Sequence, residues 1–138
     1  MTERVFVDTN IWVYAVDASE PHKRDRARAA IAPRADAHVT ISSQVLSEFH
    51  TVVTRKLESP LSEEQAAQMV DRLSQLPVVP VDGDLVIRAI AGSRSWGISL
   101  WDAVVIRAAE VAGCGIVLSE DLADGATYGS VRVSNPLA

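Results

Sequence analysis

One cysteine, Cys114 in the stretch AGCGI, is all the thiol this sequence contains. It makes no intrachain disulfide, so the fold rests on its own core, and the usage fits a reducing compartment. Histidines are few and scattered, and His22, His38 and His50 share no spacing that would bind zinc. No uncharged apolar run approaches the roughly 20 residues of a membrane helix. The opening MTERVFVD puts Glu3, Arg4 and Asp8 where a signal-peptide core would lie, so the expectation is a soluble cytoplasmic protein without membrane association. Positive charge is in deficit, with a formal net charge of −5, which argues against a polycation that holds nucleic acid by charge alone. Linkers, repeats and low-complexity tracts are missing too. One domain over residues 1–138 is expected, burying roughly 68–70% of its unfolded surface.

What is present alternates. Strand-like runs are VFV (5–7), HVTI (38–41), VVPV (78–81), GIVL (115–118) and VRV (131–133). Helical patterns lie between them: IWVYAVDA, EPHKRDRARAAIA, SSQVLSEFHTVVTRKL, SEEQAAQMVDRLSQL with a capping box from Ser62 to Gln65, DGDLVIRAIAGSRSWG, and SLWDAVVIRAAEVAG stopping at Gly113. Short strands without polar alternation are those buried on both faces. The fold class expected is therefore α/β, a three-layer α/β/α arrangement around a central parallel sheet of about five short strands.

In such sheets ligands bind beyond the carboxyl ends of the strands, where the connections diverge. VFV ends in Asp8, and GIVL runs into Ser119, Glu120 and Asp121. Either acid alone also reads as a turn former or helix N-cap. Glu48 has Val45 and Val52 as face-mates, which places it on the border of an apolar stripe, turned toward the sheet. Asp102 follows Ser99 by three residues, a capping box in its own right, on a helix apolar nearly all round apart from Arg107 and Glu110. If four such acids converged without a counterion, they would repel and raise one another's pKa. A hard divalent cation with oxygen ligands, Mg²⁺ above all, resolves this.

The four segments VFVDTN, SSQVLSEF, SLWDAVVIRAA and LSEDLADG, in this order, resemble the PIN-domain nucleases and, within them, the VapC toxins of bacterial toxin–antitoxin pairs. The resemblance covers nearly the whole chain; the ending NPLA departs from the NPF of many relatives. It implies a Mg²⁺- or Mn²⁺-dependent endoribonuclease in which Asp8, Glu48, Asp102 and Asp121 are the catalytic, metal-holding acids. Asp8 and Asp102 correspond to the firmest ligands, and Asp124 to an optional fifth acid. Thr9, Asn10 and Ser119 fall where the family places polar groups that orient the acids or a metal-bound water. It also implies an RNA substrate, a cognate antitoxin that occludes the acidic pocket, and a homodimer. Apolar surface around Trp12 and Tyr14 or Trp96 and Trp101 would serve the dimer, although those aromatics fit a plain core equally well.

Grip on RNA has to come from outside an acidic pocket. Lys23, Arg24, Arg26 and Arg28, within PHKRDRARAAIAPR, are the candidates, with Arg55 and Lys56 a second patch. Three other readings compete. A phosphoaspartate receiver or phosphatase would want a second acid where Asn10 stands, or a lysine after Lys56, and both are missing. A noncatalytic RNA- or protein-binding module would be expected to lack one of the acids, and all four are there. A housekeeping RNA-processing nuclease of the same family usually carries extra domains.

Overall fold

The computed structural model describes residues 3–138; the first two positions of the expected domain lie outside it. The elements, in order, are β1 (Val5–Val7), α1 (Thr9–Tyr14), α2 (Pro21–Ile31), β2 (Val39–Ser42), α3 (Ser43–Arg55) and α4 (Glu63–Leu73). They continue with β3 (Val78–Val79), α5 (Gly83–Trp96), α6 (Leu100–Val111), β4 (Ile116–Leu118), β5 (Thr127–Tyr128) and β6 (Val131–Ser134). The strands form one sheet in the order β3-β2-β1-β4-β6-β5, parallel throughout except for the antiparallel β5–β6 hairpin. This is the expected α/β/α architecture, with a sixth strand added at one edge. Three expected strands are trimmed: His38 belongs to a 3-10 turn before β2, β3 stops before Pro80, which has no N–H to give the ladder, and β4 begins at Ile116, after Gly115.

Side-chain alternation divides the core. In the parallel register Val5 pairs with Ile116, Phe6 with Val117 and Val7 with Leu118. Val5, Val7 and Leu118 pack with Ile11 and Ala27 of α1 and α2 on one face. Phe6 and Val117 turn the other way, into a larger core with Ala103, Val104 and Ile106 of α6 and Leu85 and Ala89 of α5. A third cluster, Val13, Phe49, Val53 and Ala66, packs α1 against α3 and α4. The capping box of α4 forms as read, Ser62 and Gln65 each bonding the other's backbone. The chain leaves α5 and α6 through Gly97 (φ +66°) and Gly113 (φ +72°), a backbone conformation that costs glycine nothing. Among the described residues no helix is long and apolar enough to cross a membrane.

The strand order decides where a site can sit. From β1 the chain builds outward through β2 to β3, then crosses back by α5 and α6 to place β4 on β1's other side. The connections diverge between β1 and β4, and the residues delivered there are Asp8 and Ser119. The Asp8 amide donates to the Leu118 carbonyl at 2.9 Å, so the pairing continues to the lip of the crevice.

Candidate active site

Asp8 is 6% exposed, and both its oxygens are engaged. Oδ1 accepts the Thr9 N–H at 2.8 Å, which also caps α1. Oδ2 accepts the hydroxyl of the fully buried Ser119 at 2.8 Å. The same Ser119 Oγ accepts from Asn10 Nδ2 at 3.3 Å and from the Asp121 amide at 3.2 Å. Asn10 Oδ1 in turn accepts the Glu120 amide at 3.1 Å. The residues after β1 and β4 are thus laced through one hydroxyl and one carboxamide. Burial pushes the Asp8 carboxyl up from 3.8 to about 6; the bonds from Ser119 and Thr9 pull it down, and the nearby charges of Asp121 and Glu48 raise it further.

A groove opens beside Asp8, with a volume of about 360 Å³. One wall is the face of α1 carrying Thr9, Asn10, Val13 and Tyr14, and it runs on to Asp17. Glu48 and Val52 of α3, with Leu57 beyond that helix, line the groove as well, together with Glu120 and Asp121. Three of the four acids therefore share one cavity. Glu48 departs from the expectation in one respect: it lines the groove but is exposed at its mouth and hydrogen-bonded by Gln44 on its own helix. Asp102 does not line the groove. It is half-buried on the first turn of α6, where its amide donates to the Ser99 cap at 3.1 Å. Burial raises its pKa, the Ser99 hydrogen bond opposes this, and the charge of Asp121 adds to it, which places the Asp102 carboxyl within electrostatic reach of the group. Asp124 is exposed and caps the Asn135 amide at 2.9 Å.

Among the described residues no three acids, histidines or cysteines already stand together as a chelating set. The donor chemistry nevertheless fits a hard cation. Every candidate ligand is a carboxylate oxygen, and the buried Thr9 hydroxyl next to Asp8 has no hydrogen-bond partner. Of the basic candidates, Lys23 alone stands at the groove's rim. Its Nζ lies 3.0 Å from Glu120 Oε2, 3.3 Å from the Tyr14 hydroxyl and 4.7 Å from the Tyr14 ring centroid. Arg24 is half-buried beside Asp25. Arg26 donates to the carbonyls of Leu137 and Ala138, and Arg28 to that of Ala15, so these two guanidiniums brace the fold. Arg55 and Lys56 are exposed at the end of α3. Trp12, Tyr14 and Trp96 are half-buried against core clusters, whereas Trp101 is 66% exposed.

The model of the PIN domain matches residues 5–123, which takes in Asp8, Glu48, Asp102 and Asp121 together. The chain belongs to the PIN-domain family. No curated protein sequence matches it significantly. Solved structures share the fold of this PIN domain. A toxin–antitoxin complex from Klebsiella pneumoniae superposes with a TM-score of 0.69 at 20% identity, over 96% of this chain and 97% of that one. VapC20 of Mycobacterium tuberculosis, described as a sarcin–ricin-loop-cleaving toxin, gives 0.66 at 24% identity, over 93% and 98%. DNA-bound VapBC from Salmonella typhimurium gives 0.65 at 19% identity, over 98% and 99%.

Two groove residues, Asp17 and Glu120, escaped the reading of the sequence as site residues. Glu120 sits in the SED triplet beside Asp121 and was overshadowed by it. Asp17, in AVDAS, has the composition of a turn, and only the length of α1 shows that it ends on the same groove as Asp8.

Proposed function

We propose that this PIN-domain protein is a metal-dependent endoribonuclease that hydrolyses RNA phosphodiester bonds, the toxin of a toxin–antitoxin pair. The observation that carries the reading is the meeting of Asp8, Glu48 and Asp121 in one groove at the divergence of β1 and β4, with Asp102 alongside. Full-length likeness to chains from toxin–antitoxin complexes supports the toxin role and an antitoxin partner. The resemblance of the four acid-bearing segments to the VapC toxins supports a place in the cytoplasm and a homodimer.

Asp8, Glu48, Asp102 and Asp121 are the residues that would hold Mg²⁺ or Mn²⁺. Such an ion lowers the pKa of a bound water and polarises the phosphate. The chain's own groups do the rest. Ser119 and the Thr9 amide fix both oxygens of Asp8, so its orientation is set before substrate arrives. Asn10 holds the Glu120 amide and with it the loop that presents Asp121. Asp121, exposed in the groove's lining, accepts the proton of the attacking water on a carboxylate oxygen while the leaving oxygen departs on the far side of phosphorus. Lys23 offers the rim a cation that exchanges Glu120 for an RNA phosphate.

Cleavage of total cellular RNA with Mg²⁺ or Mn²⁺, beside EDTA and Asp8→Asn controls, tests this. Discrete fragments that vanish in both controls are expected. Full activity of Asp8→Asn would sink the mechanism.

A further inference from the structure

Among the described residues that line the groove, one buried polar atom has no partner. Thr9 is 6% exposed and shares the cavity with Asp8, Glu48 and Asp121, yet its hydroxyl has neither a donor nor an acceptor within reach. The cause is its place in the chain. A threonine inside a helix can return its hydroxyl to a carbonyl one turn back, as Thr54 does to His50 at 2.7 Å. Thr9 is the first residue of α1, so no helical turn precedes it. The acceptors just before it are engaged. Asp8 Oδ1 takes the Thr9 amide, Oδ2 takes the Ser119 hydroxyl, and the Asp8 carbonyl takes the Ile11 amide at 3.2 Å. The Val7 carbonyl accepts the Trp12 indole N–H at 3.1 Å. A buried hydroxyl left this way costs the fold stability, and it faces the one place in the groove where the acids meet.

Accepting the endoribonuclease reading, on which this rests, we infer that Thr9 is a catalytic residue whose hydroxyl donates to a nonbridging oxygen of the RNA phosphodiester held in the groove. The choice of ligand follows from what the hydroxyl lacks. A cation among the acids would take a lone pair of Oγ1 and leave its proton without an acceptor. A metal-bound water is chiefly a donor, with the same result. A nonbridging phosphoryl oxygen is an acceptor only, and it takes the proton. Negative charge builds on those oxygens as water attacks, so the bond is stronger in the transition state than in the bound substrate. A neutral donor also suits a position next to Asp8. A lysine there would pair with the carboxylate and compete with the cation, whereas a hydroxyl leaves the charge of Asp8 unspent.

Thr9→Val keeps the shape and removes the hydroxyl, and Thr9→Ser keeps the hydroxyl. In metal-free protein Thr9→Val should melt at or above the temperature of the parent, because it removes an unpaired buried group; a hydroxyl bonded within the fold would give the opposite. Its affinity for Mn²⁺, measured by calorimetry, should equal that of the parent. In cleavage with Mn²⁺ its kcat should fall roughly 100-fold, more than KM rises, and Thr9→Ser should recover most of the loss. RNA with a single phosphorothioate at the bond the parent cuts, one diastereomer at a time, locates the contact. Sulfur at the contacted oxygen should slow the parent far more than Thr9→Val, and sulfur at the other oxygen should slow both alike. A lower melting temperature for Thr9→Val, weaker Mn²⁺ binding, or equal sulfur effects in parent and variant each overturn the assignment. Absence of any cleavage by the parent counts against the nuclease reading. Titration of both proteins with the dinucleotide uridylyl-uridine in Mg²⁺ then decides this one, which fails if Thr9→Val binds it as tightly as the parent does.

Discussion

Replacing Asp8 by Asn should stabilise the metal-free protein at neutral pH while removing its activity. Burial holds the carboxyl of Asp8 at about 6, against an ordinary 3.8. Below pH 3.8 the group is protonated in both folded and unfolded chains, and its charge costs the fold nothing. Between 3.8 and about 6 the unfolded chain releases the proton and the folded chain keeps it, so the fold loses about 1.36 kcal/mol per pH unit. Above about 6 the penalty is complete, at about 3 kcal/mol. Asn keeps the shape and an acceptor for the Thr9 amide, and it never ionises. Its NH₂ meets a Ser119 oxygen that already accepts from Asn10 and Asp121, which subtracts a constant independent of pH. The unfolding free energy of Asp8→Asn minus that of the parent should therefore grow by about 2.4 kcal/mol between pH 4 and pH 7, roughly 8 °C in melting temperature. Urea denaturation at pH 4, 5, 6 and 7 in EDTA measures it, and other titrating groups cancel in the difference. A difference that stays flat across that range would refute the argument that Asp8 is held charged at a cost. Excess Mg²⁺ should then restore stability to the parent at pH 7 and do little for the variant.

Removing the Ser119 hydroxyl should act on the same group from the other side. Ser119→Ala deletes a hydrogen bond that lowers the Asp8 pKa, so that pKa should climb further above its ordinary value, read by carbon NMR of the carboxyl in metal-free protein, and stability should fall by about 1–3 kcal/mol as the Asp121 amide loses its acceptor. At the rim, Lys23→Met should weaken RNA binding and reduce the slope of log affinity against log salt by about one, while Arg26→Met, whose guanidinium is spent on the C-terminal carbonyls, should change stability more than slope. Filter binding across a salt series separates the two.

What the sequence made legible follows from how strongly each signal is bounded. VFV running into Asp8, and GIVL into Ser119, could be read because a buried parallel strand is a short apolar run and its end is marked by the first polar residue. The strand β5 could not, because Thr127 and Tyr128 carry no apolar run and pair only across a tight turn with β6. Pro80 ends β3 inside the apolar run VVPV, because it has no N–H for the ladder. Val45 and Val52 place Glu48 on the border of the apolar stripe and turned toward the sheet, but the fold leaves that border open as a groove, so the acid is exposed instead of buried. Asp102 reads in the sequence as part of a helix cap and as a candidate site acid. The structure shows the cap directly and sets the carboxyl at the margin of the groove, feeling Asp121 without sharing its cavity. Asp17 does not stand out in AVDAS, because the groove it lines is completed by Val52 of α3 and Leu57 beyond that helix.

The crevice between β1 and β4 joins residues more than a hundred positions apart: Ser119 binds Asp8 at a separation of 111. Until β4 has docked, Asp8 has no hydroxyl partner, the Glu120–Asp121 loop has no anchor in Asn10, and the groove lacks part of its lining. On a ribosome that makes about 5–20 residues per second, the parts of this chain that emerge first therefore carry carboxylates but no finished pocket. The wiring of the sheet works as a timer, and it gives anything that must intercept the protein the whole of its synthesis in which to do so.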